Sequence, residues 1–453
     1  MLEFVPVSIF DFILTPFVAG LIYAIGKRYR DKYYPKKHPY HRYFLPALGI
    51  KLVGAIAICL VYIYYYDGGD TMNYFYHSQV INSSLMESPE KWINLLLGIP
   101  KAYDPEYYKY TQLMEWYDRG APYTISQIAA VFSLITFNTF IPASLLFAGL
   151  AFTGLWALFV TFAKQYPTLR EPIATATLFV PSVVMWGSGM FKDTICMFSL
   201  GWLCASTFEY FVNRNTTFRN TLIIISSFLL LMIIKVYIVI CFVPALVGWL
   251  IFKRTSQIKS RSVATVINLF SIVIILSFFA VLFTQFSDVL GKYSLENISK
   301  TSESTRRWIV YMSNIDNGAV YDLGPFDPSL AGMLAKFPQA VNVTLFRPYL
   351  WESRKILVFL SSLESFILLL LTIKIFFRVG LKNIARAIGG SYTIQFTFIF
   401  SIMFAFSVGV STFNFGALSR YKIPCIPFYV LTLILIFYKY ARPGERLLAR
   451  LRL

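Results

Sequence analysis

The hydrophobic residues of this chain lie in long continuous blocks, and short segments between the blocks carry most of the charges. Most blocks are close to the length of about 20 residues that an α-helix needs to cross a bilayer. The blocks are uniformly apolar rather than alternating, which argues against a membrane β-barrel. The pattern therefore predicts an all-α polytopic membrane protein.

Charges at the ends of the blocks indicate direction, because loops rich in lysine and arginine stay on the cytoplasmic side. Residues 27–42 hold seven bases and one acid, so the second block runs outward. The same argument predicts about eleven transmembrane helices, with the N-terminus outside and the C-terminus inside. A further block, 124–140, is short and is predicted to be re-entrant or steeply tilted. The predicted spans are about 5–26, 44–65, 142–163, 172–187, 194–212, 221–235, 236–252, 263–284, 356–377, 391–411 and 423–440.

Two large loops are predicted on the outer side, at about 66–123 and 285–355. The first carries eight acids and four bases, against the bias of inner loops, and is rich in tryptophan and tyrosine. Because such rings favour the membrane interface, we expect short interfacial helices near 88–98 and 105–118.

Composition supports this interpretation, since 57% of the residues are hydrophobic and 14% are charged. Soluble domains carry about 25% charged residues. The net charge of +18 would suggest nucleic acid binding in a soluble protein, but here the bases are concentrated in alternate loops. We expect no nucleic-acid partner, no cleavable signal peptide, and one transmembrane domain over residues 1–453.

The most informative polar stretch begins where the second block leaves the membrane. Asp67, Asp70, Tyr74 and His77 follow that block. Ionisable groups are costly to keep near lipid, so those at a membrane boundary are candidates for function. The alternative is that segment 67–70 only turns the chain and solvates the helix end.

Other charged residues also fall on the outer side of the predicted topology, although lysine and arginine favour the inner side. They are Lys192 with Asp193, Lys235, Arg347 with Glu352, and Arg420 with Lys422. Since distant segments of a helical bundle reach the same face of the membrane, we expect these residues to share one cavity with the aspartates.

A cation beside hydrocarbon has a suitable ligand in the phosphate of a lipid, which arginine binds as a planar fork and lysine as a point charge. Asp70 is the candidate catalytic base for an acceptor hydroxyl, and the five cations would bind the donor phosphate as it departs. The reaction class is glycosyl transfer from a polyprenyl-phosphate or polyprenyl-diphosphate sugar. Residues in supporting roles are Asp67, Tyr74, His77, Asp193 and Glu352.

Several of these residues also have a purely structural interpretation. Lys192 and Asp193 could form a local charge pair, and Arg347 could cap a loop. Arg420 and Lys422 could anchor to lipid headgroups, and His77 could be a hydrogen-bonded interface residue. The five cysteines lie in or beside apolar blocks without a zinc-like spacing, which indicates packing.

The order of these features resembles the GT-C superfamily of membrane glycosyltransferases. The resemblance is carried by Asp70 within GDTMNY at 69–74, by the outer turn in 181–193, and by RYKIPCIP at 420–427. It implies a GT-C-like fold and an inverting transferase on the outer face, and we expect the protein to reside in a bacterial inner membrane. Asp70 would then be the base, and Arg420 and Lys192 would touch the donor phosphate.

The resemblance also implies that no cofactor is needed and that a divalent metal is not expected. The acceptor, whether glycan, lipid or protein, stays open, because the second carboxylate of many family members is only loosely matched by Asp67 and no large C-terminal domain follows. The pattern Gly-x-Asp-x-x-x-Tyr at 68–74 also resembles that of exopolysaccharide polymerases. Two further alternatives are a transporter of lipid-linked sugars, which should place charges near the bilayer midplane, and an inactive assembly subunit.

Overall fold

The structure is a computed structural model, in which the described residues are helical or in connecting turns and contain no β-strand. This confirms the all-α class. The described residues are 7–260, 335–353, 355–412 and 414–442, together with 263, 266–267, 270, 311, 321, 323, 332, 445 and 447.

The helices are described in chain order. They are α1 (Ile9–Tyr33), α2 (His41–Tyr64), α3 (Asp70–Ser83), α4 (Pro89–Leu97), α5 (Tyr108–Thr111), α6 (Ala121–Ile135), α7 (Phe140–Gln165), α8 (Arg170–Leu178), α9 (Pro181–Trp186), α10 (Lys192–Phe211), α11 (Phe218–Thr255), α12 (Phe337–Phe346), α13 (Ile356–Val379), α14 (Leu381–Gly389), α15 (Tyr392–Ser411), α16 (Phe415–Tyr421) and α17 (Ile426–Tyr440). Contacts divide the chain into two compact units, Met1–Lys235 and Val236–Leu453, and each is described by itself.

Six helices of the described residues are long and apolar enough to cross a membrane, which confirms a polytopic membrane protein. They are α1, α2, α7, α11, α13 and α15. The pair α16 and α17, bent by 66°, would make a seventh span. Most of the predicted span 263–284 and most of the loop 285–355 lie outside the described residues.

Four predicted segments differ in detail from the observed helices. Span 172–187 is divided into α8 and α9, because Pro181 disfavours helical geometry in the residue before it. Spans 221–235 and 236–252 meet within α11 at Lys235, whose backbone is non-helical (φ −149°, ψ 80°). Of the helix expected near 105–118, only the four residues of α5 form.

The segment 66–123, which is predicted to be an outer loop, builds its own small core rather than separate surface helices. Aromatic and aliphatic side chains of α3, α4 and α6 pack together with those of residues 107–117, which connect α4 to α6. The Tyr123 hydroxyl donates to the Leu95 carbonyl at 2.5 Å. Hydrogen bonds from Lys109, Lys91 and Tyr110 lower the pKa of Glu87 to about 2, so this carboxylate stays ionised and links α4 to α5.

Helices α7 and α10 approach each other at two glycines. A Cβ on Gly201 would lie 2.0 Å from the carbonyl oxygen of Gly154, and a Cβ on Gly154 would lie 2.3 Å from that of Phe198. Small residues permit such backbone contact between membrane helices.

Two charged side chains fix helices of the first unit from within. Asp11 of α1 accepts hydrogen bonds from the backbone amides of Phe140 (2.6 Å) and Ile141 (3.0 Å), so it caps the start of α7. Lys51 of α2 is 2% exposed and donates to the Val183 carbonyl at 2.9 Å. The position of Lys51 near the inner end of the second apolar block predicts that it snorkels to the headgroups. That prediction is wrong, because its ammonium is used between α2 and α9.

In the second unit, α12 packs closely on α15. The Thr344 hydroxyl donates to the Ala405 carbonyl at 2.7 Å. A Cβ on Gly409 would lie 2.3 Å from the Ala340 carbonyl oxygen. This close contact attaches the end of the second predicted outer loop to a span.

Candidate functional site

The turn between α2 and α3 sets the position of Asp70. Asp67 is exposed and has a left-handed backbone (φ 48°), followed by Gly68 (φ 134°) and Gly69 (φ 106°). These conformations favour glycine at positions 68 and 69. Asp70 is half-buried and is the first residue of α3, where the helix dipole stabilises a carboxylate.

Asp70, Tyr74 and His77 lie on one face of α3, since their spacing of four and three residues follows the helical repeat. Tyr74 and His77 are buried, and the ring of Trp116 lies against both. The centroid of Trp116 is 5.1 Å from that of Tyr74 and 5.4 Å from that of His77. Trp116 thus packs on this face of α3 from the later part of the loop, although the sequence indicated only that the loop is rich in aromatic residues.

Lys192 reaches the same face from a different helix. It is the half-buried first residue of α10, and its Nζ lies 5.9 Å from the centroid of the Tyr74 ring. Cations within about 6 Å of an aromatic face are attracted by it. The first unit therefore brings Lys192 to within one helical turn of Asp70 along α3.

Asp193, next to Lys192, forms an ion pair with Lys235. The Lys235 ammonium donates to Asp193 Oδ1, and both side chains are buried, with 7% and 0% exposure respectively. Lys235 stands where α11 loses its helical geometry. The pair fixes the start of α10 and so the position of Lys192.

His77 is a buried imidazole whose Nδ1 has no hydrogen-bond partner within the described residues. Burial lowers the pKa of His77 to about 4, because the charged form is disfavoured away from water. The ring is therefore neutral at physiological pH. The sequence suggested that His77 is a hydrogen-bonded interface residue, but its Nδ1 atom makes no hydrogen bond to the described residues.

In the second unit, Arg347 is held by Glu352. Its Nε lies 3.1 Å and 3.0 Å from the two carboxylate oxygens, and its Nη2 makes a third contact. Glu352 also accepts from the Tyr349 amide at 2.8 Å. The guanidinium lies 5.2 Å from the centroid of the Phe415 ring, so it is placed among aromatic side chains as well.

Arg420 and Lys422 lie at the end of α16, just before the bend that leads into α17. Lys422 is fully buried and donates to the Ser365 hydroxyl at 2.7 Å, with the Arg347 carbonyl 3.4 Å away. Arg420 is half-buried, 5.8 Å from the centroid of the Tyr421 ring. Lys422 is therefore not a headgroup anchor, because its ammonium lies inside the unit.

The predicted site residues thus fall into two sets, one in each unit. The first unit brings together Asp70, Tyr74, His77 and Lys192, with the pair of Asp193 and Lys235 beside them, and leaves Asp67 exposed. The second unit brings together Arg347, Glu352 and Lys422. The expectation of one common cavity stays a prediction.

Asp11 and Lys51 are the polar residues that the sequence analysis missed or misassigned. Both stand inside apolar blocks, and an ionisable residue in such a block is itself a signal of a specific role. Among the residues that the structure describes, no group of three His, Cys, Asp or Glu side chains is arranged to hold a metal ion.

Comparison with known proteins gave no match: no family model, no curated protein and no solved structure is similar to this chain.

Proposed function

We propose that this protein is a membrane glycosyltransferase of the GT-C type, which transfers a sugar from a polyprenyl-phosphate or polyprenyl-diphosphate donor to an acceptor. The observation that carries the proposal is the meeting of α3 and α10 in the first unit. There a carboxylate at the end of a span, Asp70, lies one helical turn from the point where Lys192 contacts α3. A base and a cation at a membrane boundary suit a lipid-linked phosphate ester.

In the proposed reaction, Asp70 accepts the proton of the acceptor hydroxyl. The oxygen attacks the anomeric carbon, the bond from that carbon to the phosphate oxygen breaks, and the polyprenyl phosphate leaves with the electron pair. Lys192 neutralises charge on the departing phosphate. Attack from the side opposite to the leaving group inverts the anomeric centre.

The contacts of Lys235, Arg347 and Lys422 make these three cations less suitable as phosphate ligands. A phosphate would have to displace Glu352 from Arg347 and Asp193 from Lys235. Lys422 is fully buried. We therefore assign the donor phosphate to Lys192, which is half-buried and lies 5.9 Å from the Tyr74 ring centroid on the same face as Asp70, and give Lys235, Arg347 and Lys422 the task of holding the surrounding helices.

The proposal includes about eleven spans, an outer N-terminus and an inner C-terminus in a bacterial inner membrane. It is supported by the charge pattern of the loops, since residues 27–42 are strongly basic and residues 66–123 are acidic. The acceptor is a glycan, a lipid or a protein outside the cytoplasm.

The test is the Asp70→Asn variant in proteoliposomes that contain undecaprenyl phosphate linked to radiolabelled hexoses or pentoses, with native membrane extract as the acceptor source. Loss of general base catalysis should lower transfer by about 10²–10⁴-fold. Donor retention on the purified protein should stay nearly unchanged, because Asp70 acts on the acceptor. Unchanged transfer in this variant would remove Asp70 from the reaction.

The control is Asp118→Asn, the same change at another aspartate of the first unit. Asp118 is exposed in a loop and has a left-handed backbone (φ 58°), which asparagine tolerates. It should leave transfer unchanged. Label that reaches the opposite leaflet still attached to undecaprenyl phosphate, without sugar transfer, would instead identify a transporter, and ladders of repeat units would identify a polymerase.

A further inference from the structure

We propose that α14 forms a binding site for the phosphate headgroup of an anionic phospholipid, with Lys382 and Arg386 as its ligands. This inference does not rest on the proposed transferase activity. It concerns a different helix, in the second unit, and a structural lipid rather than a substrate.

The place of α14 in the chain puts it at a membrane boundary. Span α13 ends at Gly380, whose left-handed backbone (φ 81°) turns the chain, and α14 follows at once. Span α15 then begins after Gly390, with the Ser391 side chain accepting from the Ile394 amide as a cap. A helix of nine residues between two consecutive spans is too short to cross and has to run along the interface.

The two faces of α14 differ strongly. Ala387 is fully buried, and Ile384 and Ile388 are half-buried against the unit. Lys382 and Arg386 are exposed and lie four residues apart, so they are neighbours on the opposite face. The helix therefore presents two adjacent cations away from the protein.

The charged residues near α14 in the sequence are predominantly basic. The sequence contains no acidic residue between Glu364 and Glu445. Glu445 is itself bound by Arg378 through two hydrogen bonds of 2.8 Å. A third cation, Lys439, lies at the end of α14, where a Cβ on Gly390 would be 3.4 Å from its Nζ. The region thus has an excess of positive charge that an anion would balance.

Apolar side chains beside these cations indicate that the anion carries hydrocarbon. Phe377, at the end of α13, is 79% exposed, and Leu381, the first residue of α14, is 66% exposed. Large apolar groups at the end of a span suit acyl chains, while the cations of α14 suit the phosphate above them. A phospholipid with a net negative charge satisfies both, and basic sites of this kind bind such lipids.

The test is native mass spectrometry of the full-length protein, titrated with phosphatidylglycerol or with phosphatidylcholine. The Lys382→Gln/Arg386→Gln variant should bind phosphatidylglycerol about 30-fold more weakly, from the loss of two charges near the headgroup. Lys36→Gln/Lys37→Gln is the matched control, since both residues are exposed in a basic loop of the first unit, and its binding should match the wild type. Size-exclusion profiles check that both variants fold.

An equal loss of phosphatidylglycerol binding in the two double variants would contradict the proposed site, since binding would then depend only on the total charge of the protein. Unchanged binding in Lys382→Gln/Arg386→Gln, or equal retention of phosphatidylcholine, would overturn it as well. Displacement of phosphatidylglycerol from this site by undecaprenyl phosphate at equal concentration would show that the occupant is a lipid-linked substrate and would also contradict the proposal.

Discussion

At the scale of single residues, the pair of Asp193 and Lys235 stands out because both charged side chains are buried. Each charge is tolerated because the other is present. Removal of one partner of such a pair leaves an uncompensated charge, whereas removal of both can be nearly neutral. The pair therefore fixes geometry more than it adds stability.

We expect Lys235→Met and Asp193→Asn to lower the free energy of unfolding by about 3–5 kcal/mol each. The double variant should lose much less than the sum of the two. Thermal unfolding of the purified protein in nanodiscs measures all three.

The exposed pair of Lys164 and Glu209, 3.2 Å apart, provides the comparison. Its removal should cost only about 0–1 kcal/mol, since water solvates both groups. Additive losses in the Asp193/Lys235 double variant would show that the two residues act independently, against this view.

The sequence pattern predicted the positions of charged residues relative to the helices well. It predicted less well which charged residues pair with each other. The end of an apolar block correctly put Asp70 a few residues after the end of α2, because span length is set by the bilayer. The pairing of Asp193 with Lys235 instead of a purely local pairing with Lys192 depends on a helix 42 residues further on. The buried state of Lys51 likewise depends on the Val183 carbonyl, which no local pattern reveals.

At the scale of helices, the contact of α7 with α10 depends on two positions without a side chain. Gly154 and Gly201 bring backbone atoms together where a Cβ would overlap a carbonyl oxygen. Helix propensity alone would favour alanine by about 1 kcal/mol. Packing overrides that preference here.

Gly201→Ala should therefore destabilise the protein by at least about 1–3 kcal/mol, because the helices must move apart. Gly20→Ala in α1 should be neutral or slightly stabilising, since no other atom lies within 4 Å of its added Cβ. Thermal unfolding of both variants makes the comparison. Equal stability in the two would mean that the glycine contact is not tight.

Helices were predictable where apolar runs were long, as for α2, α7, α13 and α15, because hydrocarbon thickness imposes their length. Shorter elements were not. Pro181 divides one predicted span, and α14 was covered by a basic connecting segment without a predicted helix. Its amphipathic arrangement emerges only once Gly380 and Gly390 define its ends.

At the scale of the whole molecule, the proposed orientation can be tested through thiol chemistry. All five native cysteines are buried, so an impermeant maleimide should leave the wild type unlabelled in intact cells. Lys101→Cys, exposed in the proposed outer segment, should be labelled from outside. Lys36→Cys, exposed in the basic segment after α1, should be labelled only after the membrane is opened.

The reverse labelling of these two variants would invert the proposed topology. Labelling of the wild type would show that a native thiol is accessible and would require its replacement before the comparison. The charge pattern that supports this orientation is a property of the whole chain, which explains why it could be inferred from sequence while the pairing of individual residues could not.

Asp11 joins the first helix to a part of the chain that is synthesised much later. Its carboxylate caps amides that lie 129 and 130 residues later in the chain. During synthesis α1 enters the bilayer long before the ribosome has made them. Only 11% of its apolar window is buried in the finished protein, so lipid can surround it meanwhile. The hydrogen bonds of Asp11 to α7 can therefore form only after residues 140 and 141 have been synthesised, whereas the packing of Gly26 against Leu48 of α2 can form earlier.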